Sequence, residues 1–537
     1  VIQHINPGIS FHTVPIADTR YFSPLIANFL SGQPPLRDFY AYSPTGPDFA
    51  MAIKIKEGQA LRRDILTETL YQQYAHLGIR EEVRANIGLL QATNTFTVCT
   101  AHQPNIFTGF LYFAYKILQT VKLAQDLTRQ HPGKHFVPVY YMGSEDADLD
   151  ELGSIWLEGR KLTWETDQTG AVGRMRTENL EPMLKQIGDS IGFLPHGPQL
   201  LDILRNAYLE QPNIQQATLS LVNELFGCYG LVVLIPDHPN FKRQLIPVMK
   251  DELLNQRSEQ IVSKTIDKLS AHFKVQATPR EINLFYLIDD KRERIVKDGE
   301  LWKVLHTQLS FTRDELLNEL ETHPERFSPN VILRGILQET ILPNIAFIGG
   351  GGEVAYWLEL KDLFQYHKVP YPVILLRNSF LWVRREEHAR LHKLGLTPDE
   401  LFEDTGLIIS KFVHDRTNAA LVLRDEYTAV EKLFNDLEEK AKQIDVTLAA
   451  SVNAERSRAI KSIGKIEHKF LRAEKKKFAW QTEQIQTVKD RLFPGNSLQE
   501  RKENLLPYYA ECGPAFFDHI LQFCIPVTDQ FIIVTEL

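Results

Sequence analysis

The sequence predicts an α/β protein with a mainly parallel core sheet, extended near its C-terminal end by a helical coiled-coil part. Three observations carry that expectation. Residues 97–150 run as an apolar strand, a polar turn, a helix, a second apolar strand and an acidic cluster, TVCTAHQPNIFTGFLYFAYKILQTVKLAQDL and then HFVPVYYMGSEDADLDEL, the order of a βαβ unit. Further short apolar runs alternate with helical periods: LVVLIP at 231–236, NLFYLID at 283–289, IAFIGGGG at 345–352 and YPVILLRNSF at 371–380. From about residue 425 to 492 the apolar spacing becomes alternate fours and threes.

Taken in order, the first residues, VIQHINPGISFHTV, lack a basic start and an apolar stretch of signal-peptide length. No run approaches the ~20 apolar residues that span a bilayer, so neither secretion nor membrane insertion is expected. Residues 55–92 carry long polar stretches with few breakers and read as a helical lead-in to a strand at Thr95–Thr100. The expected division is residues 1–150 as the N-terminal segment and first half of the core, then 151–330 as connecting insertions with further core elements. Residues 331–390 follow as the second half with a glycine-rich loop, 391–495 as the helical and coiled-coil domain, and 496–537 as a segment returning to the core.

Within the helical part, Val430, Phe434, Leu437, Ala441, Ile444 and Leu448 keep heptad spacing. A second run, Ile463 and Phe470, then Phe478, Ile485 and Leu492, shifts register by one between Phe470 and Phe478. Two such helices, joined near Ser451 to Arg458, predict an antiparallel hairpin whose exposed seam makes a homodimer, and Phe493, Pro494 and Gly495 stop the second helix.

Composition narrows the function. At 537 residues the chain exceeds a single core and more than one structural unit is expected. A formal net charge of −8 gives no general electrostatic reason to bind nucleic acid. Basic residues from Lys461 to Lys477 are interrupted by Glu467 and Glu474, as on a solvated helix face. Cys99, Cys228, Cys512 and Cys524 lie far apart with no zinc spacing, so no metal site or disulfide framework is expected and a reducing cytoplasm is the natural setting.

Open α/β sheets place ligands at the carboxyl ends of their strands, so the chemistry is expected around His102, Gln103, Thr108, Gly109, Glu145, Asp146 and Asp148. Thr108 and Gly109 sit where the following helix should begin, with amides for a phosphate or carboxylate or a hydroxyl that simply caps the helix. Tyr112 and Lys116, four apart, share a helix face that should aim Lys116 back towards that turn. The acidic cluster lacks the glycine and glutamate of a calcium loop. Glu145 and Asp146 remain as carboxylates able to hold an ammonium or accept a proton. Gly349, Gly350, Gly351 and Gly352 open a helix and read as a glycine-rich floor for a ligand, with Glu353, Tyr356 and Trp357 just beyond.

At these residues the chain resembles the bacillithiol-biosynthesis cysteine-adding enzymes. The blocks TAHQPNIFTGFLYFAYK, PVYYMGSEDADLDEL, INLFYLIDDKRERI, FSPNVILRGILQETILPNIAFIGGGGEVAYWLELK, PVILLRNSF and LQERKENLLPYY carry the resemblance in order along nearly the whole chain. It implies a Rossmann-type core related to the nucleotide-binding cores of class I aminoacyl-tRNA synthetases, and a coiled-coil homodimer. It further implies a ligase that joins cysteine to glucosaminyl-malate; because a carboxylate is a poor electrophile that must first be activated, ATP is expected as cosubstrate, and magnesium could accompany it. Site residues carry over at Gln103, Thr108, Gly109, Tyr112, Lys116, Glu145 and Asp146, and again at Asn330, Arg334, Gly349, Gly350, Gly352, Glu353, Tyr356 and Trp357. The chain departs from the family pattern at His102, commonly glutamine, and at Gly351, commonly proline. Lys116, with Arg334 or Arg377, is expected to balance phosphate or carboxylate charge.

Overall fold

The computed structural model describes residues 8–417 and 423–537, with the backbone alone of residues 3–6. The chain forms two compact units, the larger from residues 11–381 and 497–532, the smaller built chiefly from residues 382–496.

The larger unit begins its core with β1 (Thr95–His102), α1 (Tyr112–Gln130), β2 (His135–Met142), β3 (Val232–Leu234) and the short helix α2 (Pro239–Gln244). There follow β4 (Leu284–Ile288), β5 (Lys291–Asp298), β6 (Leu301–Val304), β7 (Ser310–Phe311) and β8 (Phe327–Pro329). The chain then enters α3 (Val331–Ile341), β9 (Asn344–Gly349), α4 (Gly351–Leu358) and β10 (Val373–Leu376).

Five of these strands form one parallel sheet in the order β10-β9-β1-β2-β3. Every residue of β1 is buried, because both faces of a parallel sheet are covered. Phe96, Val98, Phe136, Ile345, Ile348 and Leu375 pack with Leu123, Ala124 and Leu127 of α1 and with Ala52 and Ile53 from the helical lead-in. That lead-in consists of helices Phe49–Glu57, Arg63–Gln73 and Glu81–Leu89. The chain steps from β1 to β2 on one side, whereas β9 lies on the other. The order therefore reverses between β1 and β9, and that is where an open α/β sheet leaves a crevice at its carboxyl ends.

The run at 283–289 does not join this sheet. Its strand β4 pairs antiparallel with β5 and β8, in a second sheet ordered β7-β6-β5-β4-β8. Asp289 and Asp290 close the β4–β5 hairpin, Asp289 taking φ 48°. A two-residue connection can only return a strand antiparallel; a parallel crossover needs a dozen residues or more.

In the smaller unit, α5 (Arg424–Ile444) and α6 (Leu448–Lys477) form an antiparallel hairpin. Arg456 donates to Asn435 at 3.0 Å and the backbone N–H of Leu423 to Glu467 at 3.2 Å, pairings whose residue numbers run in opposite directions. The turn lies at Asp445–Thr447, earlier than the expected Ser451 to Arg458, which are helical. Asp445 accepts from the backbone and hydroxyl of Thr447, both at 2.8 Å, a local side-chain turn that ends the helix. The register shift between Phe470 and Phe478 coincides with a helix break: α6 ends at Lys477 and α7 (Ala479–Leu492) restarts one residue later. No described helix is long and apolar enough to cross a membrane.

Candidate functional site

The crevice predicted by strand order is a cavity of about 790 Å³. His102 and Gln103 end β1, Gly143 to Asp146 follow β2, Gly350 to Gly352 open α4, and Arg377 follows β10. Thr278, Arg280, Phe285, Arg292 and Asn330 line it from the second sheet and its approaches, and Ser497, Arg501 and Lys502 from the C-terminal segment. Seven lysines and arginines face three carboxylates there, in a chain whose net charge is −8.

Lys116 is buried on α1 and donates to the carbonyl of Ala101 and to Glu353. Glu353 also accepts from the backbone N–H of Gly350 at 2.8 Å, so one carboxylate both caps α4 and fixes Lys116. Burial holds the Lys116 ammonium below its ordinary range, opposed by Glu353. Lys116 thus reaches across to the glycine-rich loop rather than back to Thr108 and Gly109. Gly350 and Gly352 line the cavity as expected, while Gly349 remains inside the strand.

The turn at Thr108 and Gly109 lies outside the cavity lining. Residues 106–108 make a single 3-10 turn with Phe107 and Thr108 at positive φ, and α1 starts only at Tyr112. Its amides face inward: Phe107 donates to the Tyr208 hydroxyl at 2.7 Å and Gly109 to Ile106 at 3.1 Å. The amides of Phe107 and Gly109 are thus engaged within the protein, and the Thr108 hydroxyl, buried without a hydrogen-bond partner among the described residues, does not cap α1, whose N-cap is Leu111. Gly109, at φ 62°, is required, since a Cβ there would stand 2.7 Å from that of Asn105.

Glu145 is engaged on both oxygens. Lys242 of α2, fully buried, donates to one, and Ser328 donates to the other at 2.9 Å. Ser328 in turn accepts from Arg292 at 3.1 Å, whose guanidinium lies 3.9 Å over the Phe285 ring. Asp146 accepts from Gln103 and from the backbone of Asp148, each at 3.2 Å. Asp148 caps the short helix Leu149–Leu152.

Arg377 is bound to Glu500 at 2.6 Å and stands 4.9 Å over the Tyr112 ring. Arg334 donates to the Tyr356 hydroxyl, and burial pushes that phenol up to about 12. Asn330 caps α3 through Ile332 at 2.9 Å and donates to Asn283 at 2.9 Å. Trp357 lies in the core, 4.7 Å from the Phe347 ring, and does not line the cavity. His102 is 8% exposed, its ring near those of Tyr112 and Phe113, and its Nε2 has no partner among the described residues. Burial first, then the charges of Lys116 and Arg377, hold this imidazole well below its usual range, so it is neutral.

Sequence reasoning missed Lys242, Ser328, Arg280, Arg292, Glu500, Arg501 and Lys502. Signals existed for some of them: Arg292 lies in the block INLFYLIDDKRERI, and Glu500 to Lys502 in LQERKENLLPYY. Lys242 had none, since its partner is 97 residues away.

Residues 9–378 match the family profile of the bacillithiol biosynthesis BshC N-terminal Rossmann-like domain, and residues 380–536 that of its C-terminal coiled-coil domain. The "Putative cysteine ligase BshC" of Flavobacterium psychrophilum is 38% identical over 96% of this chain and 97% of its own. The protein of that name from Christiangramia forsetii is 36% identical over 96% and 98%. With the reversed-order parallel sheet, the helical hairpin and relatives matched end to end, the chain belongs to the BshC family of bacillithiol biosynthesis.

Proposed function

We propose that this protein is a carbon–nitrogen ligase that joins the carboxylate of cysteine to the amine of glucosaminyl-malate, after activating that carboxylate with ATP. The observation that carries the reading is the charge of the cavity: seven cations against three carboxylates at the switch point of an acidic chain. Such a cleft favours ligands bearing several negative charges, as a nucleoside triphosphate and a malyl group both do. The names borne by the relatives support cysteine as the donor.

A carboxylate is a poor electrophile, so an acyl-adenylate or acyl-phosphate must precede attack by the amine. Gly350 to Gly352 present backbone at the positive end of α4, where a phosphate is stabilised. Arg377 and Arg334 sit on the same wall, and Arg280, Arg501 and Lys502 have no carboxylate partner among the described residues, which suits them to an incoming anion. Asp146 is suited to hold an ammonium, with Gln103 fixing its orientation. Glu145, neutralised by Lys242, stiffens this wall. Magnesium, where used, would enter on the nucleotide phosphates. The hairpin α5–α6 exposes Leu433, Leu437 and Phe470 along its length, which supports pairing with a second copy.

The test is mass spectrometry of purified protein with cysteine and glucosaminyl-malate, with and without ATP and magnesium. An amide product that requires ATP is expected. Product from a different amino acid or acceptor, with none from this pair, would overturn the assignment.

A further inference from the structure

Resting on the ligase reading, we infer that Glu359 is a positioning residue for substrate binding: from the far end of α4 it fixes residues 276–283, so that Arg280 stands ready in the cavity for an anionic group of a substrate, a carboxylate or a phosphate. Residues 274–280 belong to no helix or strand, and their amides have no ladder to satisfy them. Glu359, 1% exposed, takes up two of those amides. One oxygen accepts from the backbone N–H of Gln276 at 2.8 Å and the other from that of Ala277 at 3.2 Å.

This carboxylate has no cationic partner among the described residues, so its burial is costly. A connection without a task could turn the same amides to water, as surface loops do. The other end of the segment is fixed as firmly. Asn283, fully buried, donates through its backbone and its side chain to Glu252, both at 2.8 Å, and Glu252 is itself buried. The same Asn283 side chain accepts from the backbone N–H of Arg280 at 3.0 Å and donates to its carbonyl at 2.8 Å.

Arg280 is therefore held from both sides by buried carboxylates, one directly and one through Asn283. Its own side chain is exposed, lines the cavity and has no carboxylate partner among the described residues. The segment also meets the glycine-rich floor, where a Cβ on Gly352 would stand 3.8 Å from the Gln276 side chain. A guanidinium offers a planar fork of donors that matches a carboxylate or a phosphate. Mounting it on a fixed segment spares the ordering that a mobile loop would undergo on binding.

The experiment measures dissociation constants by calorimetry on the full chain, for glucosaminyl-malate and separately for ATP with magnesium. It compares wild type, R280A, E359L, E359Q and E359L/R280A, each first shown to melt cooperatively. Leucine fills the volume but accepts no hydrogen bond, whereas glutamine keeps an accepting oxygen. R280A should weaken one of the two ligands about tenfold or more, and which one distinguishes a carboxylate from a phosphate at Arg280. E359L should weaken that same ligand at least fivefold and leave the other within twofold of wild type, while E359Q stays within threefold for both. The double variant should bind within twofold of R280A, because Glu359 acts through Arg280. If E359L does not fold, E359D, whose carboxylate falls one methylene short, takes its place with the same expectation. Wild-type affinities in R280A or E359L, equal weakening of both ligands, or losses that multiply in the double variant would overturn the inference. Wild type that binds neither ligand would overturn the ligase reading, and the inference with it.

Discussion

Replacing Lys242 with methionine isolates the contribution of the buried pair beneath the acidic wall. Lys242 is fully buried, Glu145 is 8% exposed, and the ammonium also donates to the carbonyl of Phe327 at 2.8 Å. Two unit charges about 3 Å apart attract by roughly 5 kcal/mol at an effective dielectric constant near 20, and desolvation of both opposes that gain. Removing only the lysine leaves Glu145 charged, buried and held by Ser328 alone, for which breaking a buried pair typically costs about 3–5 kcal/mol. Arg292, linked through Ser328, should hold the loss near the lower figure. The double variant E145Q/K242M carries no stranded charge and keeps the Ser328 bond. It should lose only the Phe327 hydrogen bond and some packing, about 1–2 kcal/mol. Urea unfolding followed by circular dichroism measures wild type and both variants. K242M should therefore be less stable than E145Q/K242M, although the latter carries an extra substitution. Equal stabilities, or a double variant worse than K242M, would refute the electrostatic account of this wall.

Further outcomes follow from other positions. Burial pushes Glu359 up to about 7 while it accepts from the backbone of Gln276 and Ala277. The folded state then binds more protons than the unfolded one between roughly pH 4.5 and 7, so this group's contribution to stability falls as pH rises through that window, by roughly 3 kcal/mol at most. Glu359→Gln should flatten that slope in unfolding curves taken from pH 5 to 8. Gly109→Ala should cost more than about 1 kcal/mol, from its positive φ and the clash with Asn105. In contrast Gly352→Ala meets only Gln276, at 3.8 Å, so it should leave the melting temperature unchanged or raised while lowering kcat/KM by intruding on the cavity floor. Arg501→Ala with Lys502→Ala should raise KM for the anionic substrates severalfold at low salt, with the difference shrinking as ionic strength rises.

Local patterns carried much of this fold, and distance hid the rest. The βαβ unit from Thr95 to Met142 was legible because its periodicity and its pairing are both short-range. NLFYLID looked identical to a core strand, since a short apolar run says nothing about its partner; the two-aspartate turn that follows decides the matter. Around the site, residues at strand ends were legible because topology alone places His102, Glu145 and Gly350 together. Their partners were not: Lys242, Ser328 and Glu500 meet Glu145 and Arg377 through contacts spanning roughly a hundred residues or more. Those partners change what the legible residues can do, turning Glu145 from a free carboxylate into half of an ion pair, while the Nε2 of His102 stays without a partner among the described residues. The helix start at Tyr112 was hidden by three consecutive positive-φ residues before it, Phe107 to Gly109, a conformation that only the glycine among them announced.

The most direct test of ATP-dependent activation supplies cysteine with both carboxylate oxygens enriched in oxygen-18, together with glucosaminyl-malate, ATP and magnesium. If the carboxylate attacks phosphorus and the amine then displaces phosphate, each amide formed should deliver one labelled oxygen to AMP or to inorganic phosphate, and which of them carries the label identifies the adenylate or phosphate route. Amide formed with unlabelled phosphorus products, or formed equally without ATP, would contradict the account.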